Sequence, residues 1–304
     1  MSLAMDDYVK RLNFSCVSAE EIRSMAVVNI TETMLYERGL PRMNSVLDMR
    51  MGSTDRRFVC GTCKHTMQKC PGHVGKIEMA TPVYNPVFVE STFRILRCVC
   101  FFCSKLLDTK LKKPISKHKQ RRRLATISLN SRSIRRCPHC NSLQPNYSRN
   151  GLQIKKDFSK HKEEDFESKE EYLFAIQPFF PSDARSILKN ISDEDCEKLG
   201  FNYVEYGSGV KKLQRPENFI IVVLLCPSTV MRPSIASSEC SRTRGHDDLT
   251  LKLQDIVKTN SLLHTEVTLD KRTSQFERLL DQLHGHLSIY MLNDSKNLKK
   301  PGTC

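Results

Sequence analysis

Eight residues in the first half of the chain have the types and the spacing of two complete sets of zinc ligands. The first set is Cys60, Cys63, Cys70 and His73, and the second is Cys100, Cys103, Cys137 and Cys140. Zinc binds four such ligands at tetrahedral corners, and a Cys-x2-Cys pair supplies two thiolates from one tight turn. Because each set contains two pairs at this spacing, the sequence predicts two Zn²⁺ ions. A closed four-ligand site leaves no open position for catalysis, so both sites are expected to be structural.

Further donors lie near both sets. His65 and Cys98 are spare candidates beside the first set, and His139 or Cys98 could replace one thiolate in the second. Four ligands fill each set without them, which favours the eight residues above. The remaining cysteines have no paired spacing and are expected to be ordinary thiols; they are Cys16, Cys196, Cys226, Cys240 and Cys304.

The positive charge of the chain is concentrated between the two halves of the second set. The formal net charge is +14, and residues 105–136 contain twelve Lys or Arg and a single acid, Asp108. Phosphate contact is independent of base sequence, so a cationic loop held by zinc at both ends favours a nucleic-acid contact over an ordinary solvated loop. The expected contact residues are Lys117, Lys119, Arg121, Arg122, Arg123, Arg132, Arg135 and Arg136.

Composition excludes several other classes of protein. The N-terminus has no apolar segment typical of a secretory signal, and the longest apolar run, 219–226, is far shorter than the roughly 20 residues that cross a bilayer. We therefore expect a soluble intracellular protein without a membrane partner. Thirteen cysteines, an odd number, favour thiolate ligands over a disulfide framework. A thiol redox protein is a third hypothesis, which stoichiometric zinc would exclude.

The elements that must position these ligands can be predicted from capping and periodicity. The Ser18 to Glu21 capping box predicts a helix that buries Ile22, Met25 and Ala26, and Val89, Phe93 and Leu96 predict a helix between the two ligand sets. The β-branched run 219–225 predicts a strand buried on both faces. Two amphipathic patterns, 249–257 and 276–287, joined by a connector over 262–272, predict an antiparallel helical hairpin.

With these motifs in place, the chain resembles the N-terminal clamp region of the largest subunit of multisubunit DNA-directed RNA polymerases, of the eukaryotic polymerase II type. The segments from Arg50 to Cys63 and from Cys70 to Glu78 resemble the first zinc site of that family, and those around Cys100 and Cys137 resemble its second. Arg215-Pro-Glu, Met231-Arg-Pro-Ser-Ile and 247–253 are similar in order and spacing. The resemblance spans roughly Phe14 to Asn293.

The resemblance implies an α+β fold: a zinc-stabilised clamp domain with irregular zinc-binding loops, a small buried sheet and the C-terminal antiparallel helical hairpin. It implies a clamp-core segment over 1–58, a clamp head with both zinc sites and the basic insert over 59–160, further clamp core with the buried strand over 161–245, and the hairpin with a truncated C-terminus over 246–304. The module is expected to hold template DNA and the RNA–DNA hybrid during transcription.

The aspartate motif that holds magnesium in this family, Asn-Ala-Asp-Phe-Asp-Gly-Asp, does not occur in the 304 residues. The resemblance therefore implies a part of a nucleotidyltransferase without catalytic residues of its own, with Mg²⁺ bound outside this chain in the complete enzyme. A split subunit, as in a large DNA virus, and a truncated product both remain open.

The implied partners are the second-largest and other polymerase subunits, with transcription factors on the helical hairpin. The implied compartment is the nucleus for a cellular enzyme, or the nucleus, a cytoplasmic factory or the virion for a viral one. The alternative from another class is a free-standing zinc-ribbon transcription factor that binds nucleic acid through the basic loop.

Overall fold

The structure is a computed structural model of the chain. It describes residues 16–53, 58–110, 120–159, 162, 165–166, 169–205, 211–233, 235–236, 244–268 and 274–293. Lys117, Lys119, Cys240 and Cys304, which the sequence singled out, lie outside these ranges.

Eight α-helices and eleven short strands occur in the described residues, which makes the fold α+β, as predicted. The helices are α1 Ala19–Met25, α2 Val89–Leu96, α3 Gln120–Ser131, α4 Lys169–Ile176, α5 Pro181–Lys189, α6 Asp193–Leu199, α7 Asp248–Thr268 and α8 Ser274–Leu292. The strands are β1 Val28–Asn29, β2 Tyr36–Glu37, β3 Leu40–Pro41, β4 Gly75–Tyr84, β5 Asn146–Asn150, β6 Gln153–Asp157, β7 Tyr203–Glu205, β8 Lys211–Leu213, β9 Ile220–Cys226, β10 Ile235–Ala236 and β11 Arg244–Gly245.

A three-stranded sheet with the order β1-β4-β9 lies at the centre of the fold. Strand β4 pairs parallel to β1 and antiparallel to β9, with Ile77 opposite Leu224. Five of the seven β9 residues are buried, which confirms the predicted strand. The register between β4 and β9 shifts between Glu78 and Val83. The side chain of Asn260 in α7 satisfies the backbone there, accepting from Ala80 N at 2.8 Å and donating to Glu78 O at 2.9 Å.

The predicted capping box starts α1. The Ser18 hydroxyl accepts from the Glu21 backbone N–H at 3.3 Å, and the Glu21 carboxylate accepts from the Ser18 backbone N–H at 2.7 Å. Ile22 is buried as expected. Met25 is exposed, so its predicted burial is wrong. The helix is only seven residues long, and its last turn extends beyond the edge of the core.

The last two helices form the predicted antiparallel hairpin. Asp255 Oδ2 in the first half of α7 lies 3.9 Å from His286 Nδ1 in the second half of α8, as expected for helices that run in opposite directions. The predicted connector, 262–272, is wrong, because α7 continues to Thr268. Its last turns contain hydroxyl residues with low helix propensity, but Thr265 and Thr268 bond back to carbonyls within the helix, and Leu263 is completely buried.

Two large hydrophobic clusters and one small one form the interior. The first joins α2 and α5 to the β5–β6 hairpin and includes Leu96, Ile154 and Leu188. The second packs α7 and α8 on the central sheet and includes Leu224 and Leu263. The third contains the second set of predicted zinc ligands and little else. Other residues of the same knuckles, among them Val99, Leu106 and Leu143, belong to the first cluster, so the third cluster is a small extension beside the larger core.

Candidate metal centres

The three Cys-x2-Cys pairs adopt one common turn, which we call the knuckle. In each knuckle the N–H of the first cysteine donates to the carbonyl five residues later, at 2.8–2.9 Å. The residue after the second cysteine has a left-handed backbone with φ of 57–58°, and these residues are Lys64, Ser104 and Asn141. A single β-bridge closes each turn, pairing Val59 with Thr66, Val99 with Leu106, and Arg136 with Leu143. Only Asn141 has the residue type that favours this conformation, so the sequence signal for it is weak.

The first centre brings together all four ligands that the sequence predicted. One donor atom each from Cys60, Cys63, Cys70 and His73 lies within 4.8 Å of every other. The sulfur atoms of Cys63 and Cys70 are 3.5 Å apart. A disulfide needs about 2.05 Å, whereas tetrahedral zinc with bonds of 2.3 Å places its ligands about 3.8 Å apart. The separation therefore fits a shared metal ion.

The electrostatics of the first centre also fit a cation. His73 Nε2 is buried and has no hydrogen-bond partner among the described residues. Interaction with the His73 side chain lowers the pKa of the Cys63 thiol to about 5, while burial raises the pKa of the Cys70 thiol to about 11. A buried thiolate needs adjacent positive charge, and a divalent metal supplies it. Backbone amides of Thr62 and Gly72 add hydrogen bonds to the sulfurs of Cys60 and Cys70, both at 3.4 Å.

The first centre packs against the turn that follows β9. The Ser228 hydroxyl donates to Met51 O and the Thr229 hydroxyl donates to Gly52 O, both at 2.7 Å. Gly72, between the ligands Cys70 and His73, has φ of +83°, and a Cβ there would lie 2.5 Å from Ser228 Oγ. Only glycine fits both the turn and the contact. The sequence identified the Pro-Gly turn but not its partner, which is distant in the chain.

The second centre joins two knuckles separated by the basic segment. The donor sulfurs of Cys100, Cys103, Cys137 and Cys140 all lie within 4.8 Å of one another. Cys100 is 3.5 Å from Cys140, and Cys103 is 3.7 Å from Cys137, which again matches the edges of a zinc tetrahedron. Burial raises the pKa of the Cys100 thiol. At Cys140 burial is outweighed by hydrogen bonds from Ser142 and from neighbouring thiols, and the pKa falls to about 7.

Of the spare donors, His65 lies outside the ligand cluster and hydrogen-bonds Cys63, while His139 and Cys98 have partners outside the two clusters. His139 Nε2 lies 3.1 Å from Leu106 O, and Cys98 Sγ donates to Arg94 O at 3.0 Å. Neither belongs to the ligand clusters found in the described residues. Burial raises the pKa of Cys98 to about 12, so this thiol stays protonated and is a poor ligand.

The predicted nucleic-acid contacts divide into two groups where the structure describes them. Arg123 Nε donates to Lys198 O at the end of α6 at 2.8 Å, and Arg136 donates to Asn141 O and Asp165 O, both at 3.2 Å. These two side chains therefore have structural bonds. Arg132 and Arg135 are exposed beside the second centre. Arg121 and Arg122 lie in the first turn of α3.

No helix in the described part of the chain is long and apolar enough to cross a bilayer. A comparison with known families matches residues 6–302 to the family described as RNA polymerase Rpb1, domain 1. The match includes both metal centres, the central sheet and the helical hairpin.

Proposed function

Because the chain belongs to the RNA polymerase Rpb1 domain 1 family, we propose that it is the zinc-stabilised clamp module of the largest subunit of a DNA-directed RNA polymerase. Family membership assigns it to a nucleotidyltransferase that works with further subunits and with nucleic acid. The observation that carries the finer proposal is the assembly of two complete ligand sets, the second of which holds a cationic segment between its two Cys-x2-Cys pairs.

In this proposal each centre holds one Zn²⁺ ion, bound by Cys60, Cys63, Cys70 and His73 in the first and by Cys100, Cys103, Cys137 and Cys140 in the second. The ion supplies a structural cross-link, since four protein ligands leave no position for substrate. The chain's own residues do the rest. The knuckle amides stabilise the thiolates, and Ser228 and Thr229 attach the first centre to the central sheet.

The domain boundaries follow from the same proposal. Segments 1–58 and 161–245 form the clamp core, 59–160 the zinc-containing head and 246–304 the helical hairpin that transcription factors contact. These boundaries divide the sequence, and the hydrophobic clusters cross them. The first cluster packs residues of 59–160 against residues of 161–245, and the second packs the hairpin on the central sheet.

The clamp would hold template DNA and the RNA–DNA hybrid through sequence-independent phosphate contacts near the second centre. Arg132 and Arg135 are the strongest described candidates, because both are exposed and neither side chain has a hydrogen bond or ion pair within the described residues. The side chains of Arg123 and Arg136 would instead stabilise neighbouring backbone through their bonds to carbonyl oxygens. Magnesium chemistry would come from residues outside this chain.

The test uses polymerase assembled with this chain, carrying Arg132→Gln and Arg135→Gln together. Each lost phosphate contact lowers the slope of log affinity against log salt by about 0.9, so the slope should fall by about two and elongation complexes should dissociate faster at high salt. The matched control is Lys258→Gln with Arg278→Gln, two exposed cations on the hairpin, assayed without transcription factors. Equal effects from both pairs would refute a contact specific to the second centre.

The zinc-ribbon alternative makes a different prediction. A free-standing factor would bind nucleic acid as a monomer and would not associate with polymerase subunits. Co-purification of the chain with a second-largest polymerase subunit supports the clamp, whereas recovery of the monomer alone with tight DNA binding supports the alternative.

A further inference from the structure

We propose that Gln144 is a positioning residue of the second metal centre, which joins its two knuckles and strengthens the hold of the Cys100 thiolate on the metal. Gln144 lies four residues after Cys140 and is buried, with 9% of its surface exposed. Its side chain contacts the other knuckle, formed around Cys100. The inference rests on the proposed zinc occupancy of the second centre.

The Gln144 amide makes three hydrogen bonds that span both knuckles. Nε2 donates to Cys100 Sγ at 3.2 Å and to Ser142 O at 3.0 Å. Oε1 accepts from the Phe101 backbone N–H at 3.0 Å. One planar group therefore connects the Cys100 knuckle to the Cys137 knuckle, although 33 residues separate Cys103 from Cys137.

The orientation of this amide follows from its partners. The Phe101 N–H can only donate, so it must face the carbonyl oxygen of Gln144. The Ser142 carbonyl can only accept, so it must face Nε2. The remaining hydrogen of Nε2 then points at Cys100 Sγ, and rotating the amide by 180° would lose the two backbone bonds.

The sulfur of Cys100 lies within hydrogen-bond distance of three N–H donors. The backbone N–H groups of Phe102 and Cys103 lie 3.4 and 3.5 Å from Cys100 Sγ, in addition to Gln144 Nε2 at 3.2 Å. In the first centre the N–H donors to the sulfurs of Cys60 and Cys70 are the backbone amides of Thr62 and Gly72. A zinc-bound thiolate carries residual negative charge, which hydrogen bonds stabilise most in a buried site. Removing Gln144 should therefore weaken the second centre and leave the first unchanged.

Two substitutions separate this role from simple packing. Gln144→Met keeps the side-chain volume and removes all three bonds. Gln144→Glu keeps the shape and the acceptor for Phe101, but it places a carboxylate oxygen against the Cys100 thiolate and the Ser142 carbonyl. If Gln144 contributed only by packing, Gln144→Glu should speed zinc release less than Gln144→Met, because glutamate has nearly the shape of glutamine. Thiolate stabilisation predicts that zinc leaves fastest from Gln144→Glu, then from Gln144→Met, and slowest from the unmodified chain.

The experiment loads the full chain with zinc, verifies two equivalents by elemental analysis, and follows release to the chromogenic chelator 4-(2-pyridylazo)resorcinol. Loss of a group that supports a metal ligand typically costs 10–100-fold in affinity, so one equivalent should leave at least about 10-fold faster from Gln144→Met while the other is unchanged. The matched control is Gln254→Met, which removes a comparable amide bond to Thr33 O, 2.9 Å long and far from both centres in the sequence. It should release zinc like the unmodified chain.

Cobalt substitution gives a second readout that packing does not change. Loss of the N–H···S bond raises the energy of the sulfur lone pair, so the sulfur-to-cobalt charge-transfer band of Gln144→Met should move to lower energy.

Unchanged release and an unchanged band would overturn the inference while leaving the zinc proposal intact. Equal acceleration of both equivalents would indicate general destabilisation and also overturn it. Absence of zinc from the unmodified chain would refute the metal proposal itself, and this inference with it.

Discussion

His284 is a buried imidazole in the middle of α8, with 4% of its surface exposed. Its Nε2 accepts a hydrogen bond from the Tyr84 backbone N–H at 3.1 Å, which requires the neutral ring. Burial lowers the pKa of His284 to about 4. The ring is therefore uncharged at neutral pH and connects the hairpin to the end of β4.

This pKa predicts a loss of stability in acid. The unfolded chain binds more protons than the folded chain between the folded pKa of about 4 and the unfolded value of about 6.5, so the stabilisation is complete above pH 6.5 and is lost as the pH falls toward 4. The total is at most about 3 kcal/mol. His284→Gln keeps an acceptor for Tyr84 and does not titrate.

Chemical denaturation of both proteins across this pH range measures the effect. Protonation of metal ligands acts on both proteins alike, so the difference between their unfolding free energies isolates the imidazole. As the pH falls from 6.5 toward 4, we expect the unfolding free energy of the unmodified chain to decrease more than that of His284→Gln. A constant difference would show that His284 does not titrate in this window.

Arg232 connects three distant parts of the fold. It is 1% exposed, and its guanidinium donates to Val46 O and Pro227 O, both at 2.9 Å, and to the Thr250 hydroxyl at 3.0 Å. These partners belong to the segment before the first centre, the end of β9 and the start of α7. A buried carbonyl without a donor costs about 1–3 kcal/mol.

We therefore expect Arg232→Met to lower the free energy of unfolding by about 3 kcal/mol, because it leaves several acceptors without partners. Urea denaturation measures the change. Arg278→Met, at an exposed position of α8, is the control and should change stability by less than about 0.5 kcal/mol. A similarly small effect at Arg232 would mean that the buried charge costs as much as its bonds contribute.

At the scale of elements, the packing of the hairpin includes the C-terminal part of α7, residues 262–268, which the sequence pattern does not predict to be helical. Leu263 in α7 is fully buried in the second cluster, whereas the adjacent Leu262 is 58% exposed. Both lie in the segment 262–272 that sequence patterns assign to a connector. The helical structure there gives two neighbouring leucines opposite environments.

Leu263→Ala should destabilise the protein by about 2–5 kcal/mol, because it leaves a cavity in the core. Leu262→Ala should cost less than about 0.5 kcal/mol. Thermal unfolding followed by circular dichroism at 222 nm compares the two variants directly. Equal effects would indicate that the helix ends before residue 262, as the sequence pattern suggested.

Local patterns could be predicted from the sequence, and contacts distant in the chain could not. The capping box of α1, the apolar face of α2 and strand β9 depend on residues near one another in the chain. The ligand sets were predictable because each consists of local pairs at x2 spacing, although 33 residues separate the two pairs of the second set. Strand β4 lacks a clear pattern because it contains Pro82 and a register shift. That shift is satisfied by Asn260, 180 residues from Ala80. The hydrogen bond from Ser228 to Met51, which supports the first centre, could not be predicted either, because 177 residues separate its partners.

At the scale of the whole molecule, the second centre has few apolar residues around its cysteines, although Val99, Leu106 and Leu143 of its knuckles pack into the first cluster. The small third cluster consists largely of the predicted ligand cysteines, together with Leu107, Phe102 and Ile134. The hairpin and central sheet share a much larger cluster. Stability should therefore be uneven, with the region around the second centre depending on its ion.

Chelation should expose this difference. After zinc removal with a strong chelator, we expect amide hydrogen exchange to increase first in 98–107 and 136–144, while α7 and α8 stay protected. Hydrogen exchange read by mass spectrometry resolves these segments. Loss of protection throughout the chain in one step would contradict the prediction, as would unchanged exchange in both knuckles.

The contact between Ser228 and the first centre has a consequence for synthesis of the protein. Ser228 follows His73, the last ligand of the first centre, by 155 residues, so the ribosome makes all four ligands well before the turn that supports them. At 5–20 residues per second that interval lasts roughly 8–31 s. During this time the nascent first knuckle has its ligands but not its docking surface. Zinc bound at that stage would preserve its shape until the remainder of the core emerges.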